Sequence, residues 1–265
     1  MADDAARLRG LYLDTMERIL CNSIYRDSST LFDGREIPYD EGTRGDGRVW
    51  PTRALTMIGE IRLHHLRECV ETVLCDSVPG DLIEAGVWRG GASIMMRAVL
   101  AAYGVDDRRV WLADSFRGLP PPNPERYPAD AGLDLSGIPA LAVSADTVRE
   151  NFRAFDLLDD RVRFAEGWFA ETLPHLDAQA FAVIRLDGDL YESTTDALES
   201  LYPKLSPGGF LVVDDYGCIP ACRAAVHDYR ERHGIGEPIA EIDWTGVYWR
   251  KTPPAARNDV LTRGW

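Results

Sequence analysis

A chain of 265 residues with 45% hydrophobic and 27% charged residues has apolar material for a sizeable core, which excludes the weakly hydrophobic, highly charged composition of disordered chains. Its formal net charge of −14 argues against nucleic-acid backbones and anionic membrane surfaces as partners, because both need a basic patch. A small-molecule substrate fits better, and part of the acid is available to hold a divalent cation.

Taken in chain order, MADDAARLRG lacks the basic-then-apolar pattern of a secretory leader, and no apolar run approaches a bilayer span, so the protein is expected in the cytoplasm. Leu8, Leu11, Tyr12, Met16, Ile19 and Leu20 recur at helical spacing over 5–21, predicting an amphipathic helix packed on the body of the protein or on a second subunit. Residues 26–53 lose periodicity and carry Gly42, Gly45 and Gly47. They read either as a mobile loop able to close over a site or as a linker. A second helix places Ile58, Ile61, Leu66, Cys69, Val70, Val73 and Leu74 on one face and stops before Val78-Pro79-Gly80. Residues 1–78 thus form a helical extension with a lid loop, and 79–265 the main domain.

In the main domain, short apolar runs at 82–87, 110–113, 162–165, 182–186 and 210–213 read as buried parallel strands. Helical stretches at 91–103, 146–158, 194–205 and 220–233 lie between and after them, the third introduced by a Ser193-x-x-Asp196 capping signature. The Pro-rich stretch 119–128 is a surface loop. Segments 238–242 and 246–250, joined by Asp243-Trp244-Thr245, leave no room for a crossover helix and predict an antiparallel hairpin. The whole is an α/β fold with a doubly wound, mostly parallel seven-stranded sheet, an antiparallel C-terminal hairpin and a helical N-terminal extension.

The first strand ends in Glu84-Ala85-Gly86-Val87-Trp88-Arg89-Gly90-Gly91 and a helix starts at once, so backbone and helix terminus can approach a ligand closely. G-x-G-x-x-G is not present, since Trp88 stands two after Gly86, which favours an adenosyl amino acid over a dinucleotide. Asp114 ends the second strand in Asp114-Ser115-Phe116, where it either binds a ribose diol or serves as a cap or turn residue. Glu84 lies inside an apolar strand and needs a partner, either a ligand ammonium group or nearby backbone donors.

Asp187-Gly188-Asp189 follows the fourth strand and Asp214-Asp215 the fifth, so four carboxylates converge at adjoining strand ends. Their repulsion is relieved by a hard divalent ion such as Mg²⁺, unless they merely cap helices and face water. Asp187, Asp214 and Asp215 are the chosen ligands. Asp189 is the chosen general base, because a neutral hydroxyl must lose its proton to act as a nucleophile. The five cysteines have no C-x-x-C pairing and read as reduced thiols, while the five histidines lack zinc or nucleophile-elbow spacing. Trp50, Tyr191 and Trp244 either line an apolar acceptor pocket or pack in the core.

These motifs resemble the macrocin and aminocoumarin sugar O-methyltransferase family of bacterial natural-product pathways. The resemblance runs through 56–59, 81–91, 111–120, 162–174, Leu186-Asp187-Gly188-Asp189-Leu190-Tyr191-Glu192-Ser193, 205–217 and 246–249. It implies a class I methyltransferase fold, S-adenosyl-L-methionine as donor, Mg²⁺, and a deoxysugar hydroxyl of a glycosylated metabolite as acceptor. It also implies homodimers or higher oligomers. Cofactor contacts are implied at Met57, Glu84, Gly86, Ser93, Asp114, Ser115, Ser144, Gly167, Trp168 and Phe169, although Ala142-Val143-Ser144-Ala145-Asp146 lacks the glutamate expected beyond the serine. Methylation of a catechol or other phenol is the alternative within the same chemistry. An NAD-dependent dehydrogenase would share the fold, but the missing glycine pattern and the carboxylate cluster count against it.

Overall fold

The computed structural model describes residues 2–252; residues 253–265, assigned above to the main domain, lie outside them. Helix α1 (Ala2–Leu20) buries Leu13, Met16 and Leu20, while Leu8, Leu11 and Tyr12 remain exposed. The apolar stripe read from spacing is therefore divided between a packed edge and a solvent-facing edge.

Residues 26–53 contain regular structure that their lack of periodicity does not signal. They fold into a small cap made of β1 (Ser29–Thr30), β2 (Glu36–Ile37), α2 (Glu41–Gly45) and β3 (Trp50–Pro51), with antiparallel strands in the order β2-β1-β3. Arg44 organises it. Its buried guanidinium donates to the carbonyls of Cys21 (3.1 Å), Val49 (2.8 Å), Met57 (3.0 Å) and Thr56 (2.7 Å). One rigid five-donor fork thus satisfies four carbonyls of irregular backbone that would otherwise be costly to bury.

Helix α3 (Gly59–Cys75) buries Leu63, Leu66, Val70 and Val73, but Ile61, expected on that face, is exposed, and Arg62 and Arg67 are buried in its stead. The main domain then alternates β4 (Asp81–Ala85), α4 (Gly91–Ala102), β5 (Val110–Asp114), α5 (Ala145–Ala154), β6 (Val162–Glu166), α6 (Phe169–Thr172), β7 (Phe181–Leu186), α7 (Tyr191–Leu201), β8 (Leu205–Val213) and α8 (Pro220–His233), closing with β9 (Ala240–Glu241) and β10 (Val247–Arg250). The seven strands run β6-β5-β4-β7-β8-β10-β9. The first five are mutually parallel, and β10 is antiparallel to both β8 and β9.

Because side chains alternate along a strand, each strand feeds two cores. Leu82, Val110 and Leu112 join the layer with α1, α3, α4 and α5, whereas Ile83, Ala85, Trp111 and Ala113 join the layer with α7 and α8. Strand order reverses between β4 and β7, and ligands of open α/β sheets bind in the crevice at the carboxyl edge of such a switch point. Among the described residues no helix is long and apolar enough to cross a membrane.

Two local expectations are corrected. Helix α7 begins at Tyr191, so Ser193 lies inside it and the Ser193/Asp196 capping signature is not a cap. The fully buried Asp130 carboxylate, from the long β5–α5 connection, accepts from Tyr191 N (2.6 Å) and Glu192 N (3.1 Å) and satisfies that helix end from outside. Helix α5 stops at Ala154, four residues short of the expected end.

Gly86, with φ of 93°, ends β4 where a Cβ would stand 1.8 Å from the carbonyl oxygen of Asp187. Gly86→Ala is expected to lower the unfolding free energy by roughly 2–4 kcal/mol, from overpacking plus a left-handed backbone penalty. Urea midpoints measure this, and a wild-type midpoint would show that the two strand ends can separate freely.

Candidate active site

The carboxyl ends of β4, β5, β6, β7 and β8 open into one cavity of ≈ 700 Å³. Met57, Gly86, Asp114, Ser115, Gly167, Trp168 and Phe169 line it, together with Asp187, Asp189, Asp214 and Asp215. Three of the ten implied cofactor contacts do not. Ser144 is exposed and caps α5, accepting from Thr147 N at 3.2 Å. Glu84 and Ser93 are buried behind the cavity wall, where the serine hydroxyl donates to the Glu84 carboxylate.

Glu84 meets a nearby backbone donor at Ser93, as expected, and also a charged partner that the sequence did not suggest. Its other oxygen accepts from Arg185 Nη1 at 2.8 Å, and the two residues are register partners across the parallel β4–β7 ladder. Burial nevertheless raises the Glu84 carboxyl to about 7, against the pull of Arg185 and the Ser93 hydroxyl. Asp114 accepts from Val87 N and Phe116 N, each at 2.7 Å, tying the end of β5 to the β4–α4 turn.

Arg185 also reaches the acidic cluster, donating to Asp187 Oδ2 at 2.9 Å and Asp214 Oδ1 at 2.6 Å. Arg62, from α3, donates to Asp214 Oδ2, and its Nε donates to Asp243 Oδ2 at 3.0 Å. The repulsion expected among the aspartates is thus partly relieved by two buried arginines. It is not fully relieved, because Glu84, Asp187, Asp189, Asp214, Asp215 and Asp243 are six carboxyl groups sharing two guanidiniums.

Burial and this imbalance together set the proton affinities. Arg185 and Arg62 outweigh burial at Asp214 and hold its carboxyl below the usual range. Asp215 is buried, has no arginine, and is pushed well above that range by burial and then by Asp189, Asp187 and Asp214. Burial, with Asp187 and Asp214 nearby, raises Asp189 to about 8. Asp189 sits at φ of 57°, and its amide donates to Asp215 Oδ2 at 3.1 Å. Asp tolerates this left-handed backbone better than most residues.

Asp187, Asp214 and Asp215 each offer an oxygen, all within 4.8 Å of one another. Mg²⁺ bonds of about 2.1 Å put neighbouring ligand oxygens roughly 3 Å apart and opposite ones roughly 4 Å apart, so three all-oxygen donors at this spacing need only a small side-chain adjustment to hold a hard divalent cation. The buried, uncompensated Asp215 is the strongest sign of fit, because such a carboxylate needs either a proton or a cation.

Trp50 and Trp244 line the cavity, whereas Tyr191 points its hydroxyl to Asp228 at 2.8 Å. No histidine lines it. Sequence reading missed Arg62, Arg185 and Asp130. A signal existed for Arg185, since an arginine inside Phe181-Ala182-Val183-Ile184-Arg185-Leu186 is as anomalous as Glu84 in its own strand. For Arg62 and Asp130, which come from a distant helix and a long loop, no local pattern points to the site.

The profile of the family described as Macrocin-O-methyltransferase (TylF) matches residues 9–251. The chain is 55% identical to 8-demethyl-8-(2,3-dimethoxy-alpha-L-rhamnosyl)-tetracenomycin-C 4'-O-methyltransferase of Streptomyces olivaceus, over 97% of this chain and 98% of that protein. It is 50% identical to Mycinamicin III 3''-O-methyltransferase of Micromonospora griseorubida, over 91% of this chain and 96% of that protein. The solved structure of the O-methyltransferase NovP superposes with a TM-score of 0.89 at 48% identity, covering 92% of this chain and 100% of NovP. With a class I methyltransferase sheet and this agreement along nearly its whole length, the chain belongs to the macrocin O-methyltransferase family and is an O-methyltransferase.

Proposed function

We propose that the enzyme moves a methyl group from S-adenosyl-L-methionine to a sugar hydroxyl of a glycosylated natural product of antibiotic biosynthesis, with Mg²⁺ held by Asp187, Asp214 and Asp215. The observation that carries this reading is the shared cavity. The glycine turn after β4, the carboxylate cluster and an apolar wall that includes Phe32, Trp50, Leu119 and Ile219 all open into it. Both relatives named above carry a sugar-position methylation in their names, which supports the acceptor class.

When bound, the donor supplies a methyl carbon activated by the sulfonium charge, and the cation supplies Lewis acidity that makes the acceptor hydroxyl easier to deprotonate. Asp114, at the end of β5, is placed to accept hydrogen bonds from the ribose diol, and Trp168 and Phe169 give the adenosyl group an apolar surface. Asp189 would take the hydroxyl proton as the oxygen bonds to the methyl carbon and the carbon–sulfur bond breaks, releasing S-adenosylhomocysteine. Burial beside other carboxylates suits it to this, because a raised proton affinity makes a stronger base. Phe32, Val49 and Trp50 of the cap line the cavity, which supports a role for the cap in limiting water beside the reacting groups. The exposed Leu8, Leu11 and Tyr12 of α1 support a self-associating protein, dimeric or larger.

The test is incubation with S-adenosyl-L-methionine and the acceptors of the relatives, followed by mass spectrometry for a one-methyl gain. EDTA is expected to abolish the gain and Mg²⁺ to restore it. Full turnover after exhaustive chelation would remove the cation from the mechanism and leave Asp215 without its explanation.

A further inference from the structure

One group of contacts at the cavity rim has no part in the chemistry above. The turn Asp243-Trp244-Thr245 between β9 and β10 is stiff, because Asp243 Oδ1 accepts from Thr245 N at 3.0 Å and Gly246 N at 2.8 Å, while Oδ2 accepts from Arg62. The buried Thr245 donates its hydroxyl to the Asp214 carbonyl at 2.9 Å, which anchors the turn to the end of β8. Trp244 reaches from this turn to the cap. Its Nε1 donates to the Asp46 carbonyl at 2.7 Å, 198 positions away in the chain, and the Arg48 guanidinium lies 4.4 Å from the indole centroid.

The tripeptide Asp46-Gly47-Arg48 is gripped from its other side by α3. Arg62 Nη2 donates to the Gly47 carbonyl at 3.4 Å, and a Cβ on Gly47, where φ is 67°, would stand 2.5 Å from the Ile58 carbonyl oxygen. The two grips differ in kind. The α3 side is close packing of Gly47 against the Ile58 backbone and the buried Arg62 guanidinium, whereas the Trp244 side is one hydrogen bond and one cation–π contact around an indole that is 40% exposed. Gly47, Arg48 and Trp50 of the cap line the cavity, as do Trp244 and Thr245.

We infer that Trp244 is a latch that fastens the cap to the β9–β10 turn, so that Trp244 and Arg48 are positioning residues for the acceptor and not for the donor. This rests on the acceptor occupying the cavity as proposed above. A single hydrogen bond and an exposed cation–π contact are weak enough to break and re-form as loops move, which a bulky glycosylated acceptor requires for entry. Gly86, Asp114 and Trp168 come from the sheet side of the cavity, and among the described residues no side-chain hydrogen bond or ring contact joins them to Trp244 or Arg48.

Two variants of the full chain separate the contacts. Trp244→Phe keeps a ring beneath Arg48 and removes the N–H; Arg48→Ala removes the cation and keeps the N–H. With S-adenosylhomocysteine bound, amides 45–50 are expected to exchange about 5–10-fold faster in either variant, with exchange in β4 to β8 unchanged and the S-adenosylhomocysteine Kd within about twofold. With 8-demethyl-8-(2,3-dimethoxy-α-L-rhamnosyl)-tetracenomycin C as acceptor probe, KM is expected to rise about fivefold and kcat to change less than about twofold. Unchanged exchange at 45–50 in both variants overturns the latch. So does an equal loss of S-adenosylhomocysteine binding, or faster exchange throughout the sheet, either of which marks a merely structural role. Should the wild type leave the probe unmethylated, the reading of acceptor class fails, while the exchange data still decide the latch.

Discussion

Asp189→Asn is expected to lower kcat by about 10²–10⁴ while leaving the S-adenosylhomocysteine Kd within about twofold. The substitution preserves volume, and asparagine accepts the left-handed backbone at φ of 57° as readily as aspartate, so the amide donated to Asp215 stays in place. What is lost is the ability to take a proton. A general base works only when ionised, so the wild-type rate should climb with pH through the Asp189 titration, which burial and its acidic neighbours place at about 8 before any cation lowers it. The Asn variant should lose that rising limb. Its stability should move the other way. The raised carboxyl contributes stability that is complete below its unfolded-state pKa and lost as pH climbs through about 8, so at pH 8 the metal-free Asn variant should unfold at the same or a higher urea concentration than wild type. An unaltered kcat and an unaltered acid limb would together rule Asp189 out as the base.

The contrast between what the sequence discloses and what it hides follows from the range of the interactions involved. The alternation of short apolar runs and helical stretches places the five parallel strands, because a strand covered on both faces is written locally as a continuous apolar run, and the segment 238–250, too short for a crossover helix, gives the antiparallel pair. The acidic cluster is legible for the same reason, since Asp187 and Asp214 simply follow the last apolar residue of two strands that the doubly wound topology makes neighbours. The cap escapes detection because its two-residue strands and five-residue helix carry no periodicity. They are held by one arginine reaching four carbonyls spread from Cys21 to Met57. The end of α7 misleads for a related reason: Ser193 and Asp196 imitate a local cap, while the true partner of that helix end is Asp130, 61 positions before Tyr191. Glu84 announces its need for a partner but not its identity, which depends on strand register.

Arg185→Met is expected to cost about 3–5 kcal/mol of folding stability at pH 8, the usual penalty for removing one partner from a buried ionic group. The guanidinium is almost wholly enclosed and serves Glu84, Asp187 and Asp214 at once, so its loss strands two buried carboxylates and a half-buried third, with only Arg62 left nearby. Methionine fills similar volume with unbranched apolar atoms, which keeps the cavity penalty small and isolates the charge effect. The deficit must depend on pH in a definite direction. Glu84 already titrates at about 7 with Arg185 beside it, and without that cation it titrates higher. For a carboxyl raised in this way, stability is intact below its unfolded-state pKa and drains away as pH climbs through the folded value. The gap between variant and wild type should therefore be widest at pH 8 and narrow toward pH 5, where protonated Glu84 no longer needs a counter-charge. A second substitution, Glu84→Gln, should recover part of the loss at pH 8 and little at pH 5, because it removes one stranded charge that acid removes anyway. Urea unfolding of the four combinations measures both effects, and a single variant within about 0.5 kcal/mol of wild type at pH 8 would mean that solvent or rearrangement, not Arg185, neutralises this cluster.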